Sequence, residues 1–262
     1  MLELYHSINS VCAQKVRVAL AEKGLDCQEH LMTLQGDQFD PDYLKLNPNG
    51  VVPTLVHDGK PVIESSVILY YIDEVFPQHP LMPEDPHERA TVRLFNKLID
   101  EYVHTACMTL SFATAFRPRM LRMGEGEREA EFAKAPNQKR SDIKRDVTAH
   151  GLQSHYVADA VGQHEKLLAA MEAALADGPY LAGRSYTLAD IAVLPYLLRL
   201  ELVRLQPMWD KRPRVADWWE RIRARPSTQE TVLKRMTAQD WAPFQAIEPD
   251  PWPQLQKLLD AA

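Results

Sequence analysis

Apolar and polar positions alternate with two different periods in this chain, and the change from one to the other divides it. Leu2 to Tyr5 alternates as a strand does. The polar turn Ser7-Ile8-Asn9-Ser10 follows, with Asn9 or Ser10 placed to cap a helix that carries Val16, Val18, Ala19 and Leu20 and stops at Lys23-Gly24. Cys27 to Leu31 predicts a second, parallel strand. Asp40-Pro41-Asp42-Tyr43-Leu44 starts a short helix with proline in its first turn, and Asn47-Pro48-Asn49-Gly50 is turn chemistry throughout. Val51 to Val56 is an apolar, β-branched run and so a buried strand; Pro53, which donates nothing to a sheet ladder, belongs at its entrance. Asp58-Gly59 predicts a two-residue hairpin turn, Val62-Ile63 the returning strand, and a helix runs from about Ser65 to Phe76. The order over residues 1–78 is β-α-β-α-β-β-α, a small mixed sheet with helices on both faces.

The proline-punctuated run Pro77 to Pro83 reads as a linker, and beyond Asp85-Pro86 the strand signals vanish. Residues 87–116 predict one long amphipathic helix with Ala90, Leu94, Leu98, Tyr102 and Thr105 on its apolar stripe. Residues 117–152 are charged and weakly periodic, which predicts a loop with one short helix around Glu127–Lys134. A helix over 156–175 sets Val161, His164, Leu167, Leu168 and Met171 inward. Tyr180-Leu181-Ala182-Gly183 is a compact turn, and Thr187 with Asp190 three residues on has capping-box spacing. The helix it starts, Ile191 to Leu205, is nearly all apolar and should bend at Pro195. Pro213 to Arg225 and Ser227 to Arg235 predict two more helices, and the proline-rich tail with Trp241 and Trp252 an extended strap.

Composition narrows the function. The net charge of −6 over 262 residues argues against phosphate-backbone binding, so nucleic acid is not an expected partner. Cys12, Cys27 and Cys107 are too few and too scattered for a disulfide framework or a zinc site, and no metal is expected. Met1 to His6 lacks the basic start and apolar core of a signal peptide, and no uncharged apolar run reaches the ~18 residues of a membrane span. The expected setting is cytoplasmic, without membrane association.

One corner carries candidate chemistry. Glu64-Ser65-Ser66 ends a strand and opens a helix, where free N–H groups and the positive dipole end attract a carboxylate. Beside the Val52-Pro53 strand entrance, this makes a backbone edge and an anion pocket suited to a small peptide.

Val52-Pro53, Glu64-Ser65, the Tyr180–Gly183 turn and Thr187-x-x-Asp190 stand in an order that resembles the cytosolic glutathione transferase superfamily over roughly residues 1–235. The resemblance implies an α/β thioredoxin-like N-terminal domain over residues 1–78, a linker at 79–86 and an all-α C-terminal domain over 87–262, the glutathione transferase fold. It implies glutathione as cosubstrate, a hydrophobic small-molecule electrophile and a homodimer. Val52, ahead of a cis Pro53, would pair its backbone with the cysteinyl part. Ser65 would receive the γ-glutamyl carboxylate while Glu64 faces the ammonium, and Gln38 would contact the glycyl carboxylate. Val51 stands where many relatives carry Lys or His near that group. The catalytic position is the turn after the first strand: Ser10 is preferred, with Asn9 and Cys12 as alternatives. A hydroxyl donor at a helix N-terminus would hold glutathione as thiolate against a reference thiol pKa of ~8.5.

Within the superfamily, the 117–152 segment and the Asp100-Glu101-Tyr102 triplet resemble the bacterial β-etherases that cleave aryl ethers. That branch places its catalytic residue near Cys12 or Ala13, and Ala13 has no hydroxyl. A glutathione-dependent isomerase or dehalogenase is the alternative that Ser10-Val11-Cys12 favours. A non-catalytic binding module is the alternative of a different class, and Ser10, Glu64 and Ser65 speak against it. Phe112, Phe116, Arg119 and Met120 are candidates to line the electrophile pocket. Thr187 and Asp190 are read as structural, Cys27 and Cys107 as core thiols, His6 as packed, and Tyr102, Trp218 and Trp219 as core.

Overall fold

The computed structural model describes residues 1–260; Ala261 and Ala262, the end of the expected helical domain, lie outside the described residues. Four strands, β1 (Leu2–His6), β2 (Gln28–Leu31), β3 (Thr54–His57) and β4 (Lys60–Ile63), form one sheet in the order β2-β1-β3-β4. β1 and β2 are parallel and the other pairs antiparallel. Asp58 and Gly59 turn the β3–β4 hairpin with φ of 49° and 77°, the left-handed pair that a two-residue turn of this twist requires.

Alternate strand residues face opposite sides, so β1 feeds two cores. Leu2 and Leu4 join Leu55 beneath Val16 and Leu20 of α1 (Val11–Glu22) and Ile68 and Ile72 of α3 (Ser65–Val75). On the other face Tyr5 packs with Met32, Val52 and Tyr43 of α2 (Pro41–Leu46). The register fixes what sits at one end of the sheet. Tyr5 pairs with His30 on one side and Thr54 on the other, and Thr54 pairs with Ile63. β1, β2 and β4 therefore finish, and β3 begins, at the same sheet end.

The chain packs as two compact units. One comprises Met1–Asn96, Asp177–Pro195 and Trp218–Asp240; the other comprises Lys97–Ala176, Tyr196–Asp217 and the residues from Trp241 onward. Residues 79–86 lie inside the first unit for a visible reason. Lys23 Nζ donates to Asp73 at 2.7 Å and to the His79 carbonyl at 3.1 Å, and Asp73 accepts the N–H groups of Leu81 and Met82.

Three expectations of the helical part need correction. The helix expected over 87–116 is α4 (Pro86–Leu98), a π turn over Ile99–Val103, and α5 (His104–Ala113). Its buried stripe is Val92, Phe95, Ile99, Val103, Ala106 and Leu110, whereas Leu94 and Tyr102 are 53% and 46% exposed. Two apolar stripes run along this sequence, and periodicity alone does not say which one faces inward; Tyr102 is not core. In the 117–152 segment the short helix expected around Glu127–Lys134 is α7 (Glu125–Ala133), but the expected loop on either side of it is instead α6 (Arg117–Arg122) and α8 (Gln138–His150). Each helix contributes only one or two large apolar anchors, Met120, Phe132, and Ile143 with Val147, too few for a periodic signal. Arg145 of α8 reaches back to Glu129 of α7, and Arg117 donates to the carbonyls of Thr148 and Ala149.

The third correction is the tail, which coils into α13 (Ala238–Gln245) and α14 (Trp252–Asp260). Pro253 falls in the first turn of α14, where a missing N–H costs nothing. Between these come α9 (His155–Ala174), α10 (Leu188–Leu202), α11 (Pro213–Arg223) and α12 (Pro226–Thr228), the last running on through a π turn at Gln229–Leu233. Among the described residues no helix is long and apolar enough to cross a membrane.

Candidate active site

Every expected glutathione-facing position leaves the sheet at its common end. The Ser7–Ser10 turn follows β1, the Met32–Gln38 loop follows β2, Val52-Pro53 precedes β3, and Glu64-Ser65 follows β4. Ser10 is the N-cap of α1: its backbone is extended, and its Oγ accepts the Ala13 N–H at 3.3 Å. A capping hydroxyl spends a lone pair and keeps its proton. Capping and donation to a thiolate are thus compatible uses of one side chain. Cys12 sits at the second position of α1 and is half-buried.

The Val52–Pro53 bond is cis. The loop leading to it is held from inside. Tyr43 Oη donates to the Val51 carbonyl at 2.6 Å, Asn47 Nδ2 donates to the same oxygen at 2.8 Å, and both side chains also meet Thr54 Oγ1. Burial raises the Tyr43 pKa, so its phenol stays a donor. Gly50 has φ of +58°, and a Cβ there would come within 2.7 Å of the Phe39 ring. Gln38 is buried and its Oε1 accepts the Gly36 N–H at 3.1 Å.

Glu64 adopts φ of 68°, a left-handed conformation uncommon outside glycine, and immediately precedes α3. Strain of this kind collects at ligand-binding positions. Its side chain is exposed, with Asn49 Nδ2 donating to it at 3.4 Å. Ser65 and Ser66 are buried at the start of α3, and Lys15, fully buried on α1, donates to Ser66 Oγ at 3.3 Å. A cation therefore lies under the helix end expected to take a carboxylate. Tyr43, Asn47, Asn49 and Lys15 were not among the expected site residues. The Asn-Pro-Asn-Gly run announced a turn, but nothing in one sequence says which side chains a turn will aim at its neighbours.

A second network lies behind the Ser7–Ser10 turn. His6 is fully buried with its pKa pushed down to about 4, first by desolvation and then by the Arg17 charge. Its Nε2 lies 3.4 Å from Glu29, which pairs with Arg235. Cys27 is half-buried, and burial with Glu29 nearby pushes its thiol up to about 11. A thiol held that high stays protonated at neutral pH, whereas Cys107 is buried in the helical core.

In the helical unit, Phe112 and Phe116 meet edge to face at 5.3 Å, and Phe116 meets Phe244 at 5.7 Å. Arg199, its pKa lowered by burial, lies over Phe116 and Phe244 and donates to Ser111 Oγ at 3.2 Å; Lys144 lies over Phe112. Of the other two candidates, Met120 is buried and Arg119 exposed.

A four-stranded thioredoxin-like sheet with a capped first helix, a cis-proline strand entrance and a strained Glu at a helix start, in one chain with a helical unit, defines the glutathione transferase fold. The family model for the glutathione S-transferase N-terminal domain matches residues 9–75, and that for the C-terminal domain matches residues 143–226. The chain belongs to the glutathione S-transferase family: it is a glutathione-dependent transferase. It is 30% identical over 236 residues to the tetrachloro-p-hydroquinone reductive dehalogenase of Sphingobium chlorophenolicum, spanning 86% of this chain and 93% of that one. It is 29% identical over 242 residues to protein LigF of Sphingobium sp. strain NBRC 103272 / SYK-6, spanning 89% and 93%. The crystal structure of β-etherase LigF superposes with a TM-score of 0.77 over 88% of this chain and 98% of LigF at 28% identity. A glutathione S-transferase from Methylobacillus flagellatus, solved with glutathione bound, superposes with a TM-score of 0.63 at 25% identity, over 88% of this chain and 99% of that one.

Proposed function

We propose that residues 1–78 bind glutathione at the common sheet end and that Ser10 Oγ–H holds its sulfur as thiolate. Residues 87–262 supply the contacts to an aromatic electrophile. Val52 offers its backbone to the cysteinyl part. Ser65 and the free N–H groups of α3 take the γ-glutamyl carboxylate, Glu64 faces the ammonium, and Gln38 lies toward the glycyl end. Asn9 and Cys12 are the alternative thiolate partners. Catalysis comes from holding an ionised nucleophile beside its target.

The favoured reaction is β-aryl ether cleavage. The thiolate attacks the ether-bearing carbon, a C–S bond forms as the C–O bond breaks, and the aryloxide leaves and takes a proton from solvent. The observation that carries this reading is the match to LigF, which spans 88% of this chain and 98% of LigF in structure and 89% and 93% in sequence. Incubation with glutathione and β-aryl ether dimers should release a phenol and a thioether. Intact ethers, beside turnover of a haloaromatic, would remove this substrate and leave the transferase standing. The second reading, dehalogenation, is favoured by Cys12, two residues past Ser10, and by the likeness to the dehalogenase. Cys12 Sγ attacks the sulfur of a glutathionyl-arene adduct, forming a mixed disulfide with glutathione as the C–S bond breaks and the ring carbon takes a proton. A second glutathione thiolate reduces that disulfide and leaves as oxidised glutathione. Cys12→Ser should abolish this step while sparing ether cleavage.

The protein works as a cytoplasmic homodimer. Val67 and Leu94, each more than half exposed, are the apolar side chains a partner copy would cover. Light scattering at micromolar concentration, on the wild type and on Leu94→Glu, tests this.

A further inference from the structure

Arg17 is 3% exposed, and its guanidinium is spent on backbone carbonyls. Its Nη1 donates to the Ser7 carbonyl at 3.1 Å, its Nη2 to the Ile8 carbonyl at 3.0 Å, and its Nε to the Thr231 carbonyl at 2.9 Å. Nη1 also lies 3.1 Å from His6 Nδ1, which must accept, so His6 is neutral and carries its proton on Nε2. Two of these four contacts hold the peptide units immediately ahead of Asn9 and Ser10, and the other two tie the same planar fork to His6 and to the Thr231 carbonyl. Gln14 Nε2 also reaches the Ile8 carbonyl at 3.4 Å, the Ser10 N–H closes on the Ser7 carbonyl at 3.2 Å, and the Ser10 carbonyl accepts the Gln14 N–H at 2.9 Å.

Burying a guanidinium costs desolvation, visible in a pKa lowered to about 10, and a fold needing only a hydrophobic plug at this spot of α1 would place an aliphatic residue there. Instead the side chain anchors three backbone carbonyls from two separated stretches, the turn at 7–8 and the π turn at 229–233. Arginine suits this because its donors are fixed in one plane; a lysine ammonium cannot reach three carbonyls in those directions.

We propose that Arg17 is the positioning residue of the thiolate site: by holding the Ser7 and Ile8 carbonyls, it sets the orientation of Ser10 Oγ–H toward glutathione sulfur. This rests on the reading that Ser10 activates the thiolate. Hydrogen-bond stabilisation of an anion depends steeply on aim, so a loosened turn loses thiolate stabilisation before it loses glutathione affinity. The proposal thus separates a positioning role from a structural one.

The test uses the full-length protein and three readouts: thermal midpoint, glutathione Kd by calorimetry, and the pKa of bound glutathione from thiolate absorbance against pH. Arg17→Lys should raise the bound-thiol pKa by about one unit and lower kcat about tenfold, while KM for glutathione changes less than about threefold. Where Arg17→Lys does not fold, Arg17→Gln, with no charge to bury, carries the same expectation. Ser10→Ala should raise the pKa further, and adding Arg17→Lys to it should bring no additional shift. A folded Arg17 variant with unchanged bound-thiol pKa overturns the proposal even if Ser10→Ala behaves as expected. If Ser10→Ala leaves the pKa unchanged, the Ser10 reading fails instead. An Arg17 shift that persists undiminished in the Ser10→Ala background shows action by another route and overturns the proposal as well.

Discussion

The Ala13 N–H donates to Ser10 Oγ at 3.3 Å, which makes one hydroxyl both the cap of α1 and a donor still in possession of its proton. Removing it has two separable consequences. Ser10→Ala should cost roughly 1 kcal/mol of stability, the usual value of a cap. It should also lower kcat on the order of 10²-fold, as loss of a single transition-state donor does. Ser10→Gly, a tolerable cap residue, should recover most of the stability and none of the activity. Denaturant midpoints and steady-state kinetics on the pair check this; recovery of both in the glycine variant would make Ser10 a cap alone.

Gly50 is required twice over, by its φ of +58° and by the Phe39 ring against which a Cβ would press at 2.7 Å. Gly50→Ala should therefore destabilise by about 1–3 kcal/mol through strain and crowding. The loop it bends leads straight into Val51-Val52-Pro53, so glutathione affinity should fall several-fold along with stability. Calorimetry on protein kept well below its melting temperature separates the two; unchanged affinity would detach this loop from the peptide site.

These two residues mark what a sequence can and cannot disclose. Ser10, Pro53, Glu64 and Ser65 were legible because each carries a local requirement, a cap, a missing N–H, a helix start, that residue type alone announces. The β-α-β-α-β-β-α order was legible for the same reason. Arg17, Tyr43 and Asn47 were not, because their work is to reach backbone carbonyls of neighbouring segments, a matter of aim that no spacing encodes. The helices on either side of the expected one at Glu127–Lys134 escaped because one or two buried anchors make no period. Leu94 and Tyr102 misled because an exposed apolar stripe looks, in sequence, like a buried one.

Two buried histidines make the fold acid-sensitive. His6 and His164 are each fully buried, with pKa pushed down from 6.5 to about 4, chiefly by desolvation. His164 Nδ1 donates to the Ala160 carbonyl at 2.8 Å, which only a protonated Nδ1 can do. Below pH 6.5 the unfolded chain takes up protons that the folded chain refuses until about pH 4, so stability present above 6.5 is lost as pH falls through that window. Each histidine should contribute roughly 2 kcal/mol of loss between pH 7 and pH 5. Urea midpoints at the two pH values, in the wild type and in His164→Leu, measure it. The variant should retain only the His6 share of the loss; an identical pH dependence would show that His164 does not govern it.

Asp190 is fully buried and accepts four hydrogen bonds: from Leu181 N at 3.0 Å, Trp218 Nε1 at 2.8 Å, Thr187 N at 2.9 Å and Thr187 Oγ1 at 3.1 Å. It ties the Tyr180–Gly183 turn, the start of α10 and α11 to one carboxylate. Burial raises its pKa even against these donors, yet the anion is the form that can accept from all of them with both oxygens. Asp190→Ala strands four donors around a fully buried position and should cost at least about 3 kcal/mol. Asp190→Asn keeps the shape but turns an NH2 toward one pair of donors, so it should be nearly as damaging. Neither change touches the thiolate, so the fraction that folds should keep the wild-type bound-thiol pKa. Soluble yield, thermal midpoint and the thiolate titration together decide the matter. An Asp190→Ala protein melting within about two degrees of wild type would refute the structural role, since a loss of even 1 kcal/mol should move the midpoint of a chain this size by ~2 °C or more.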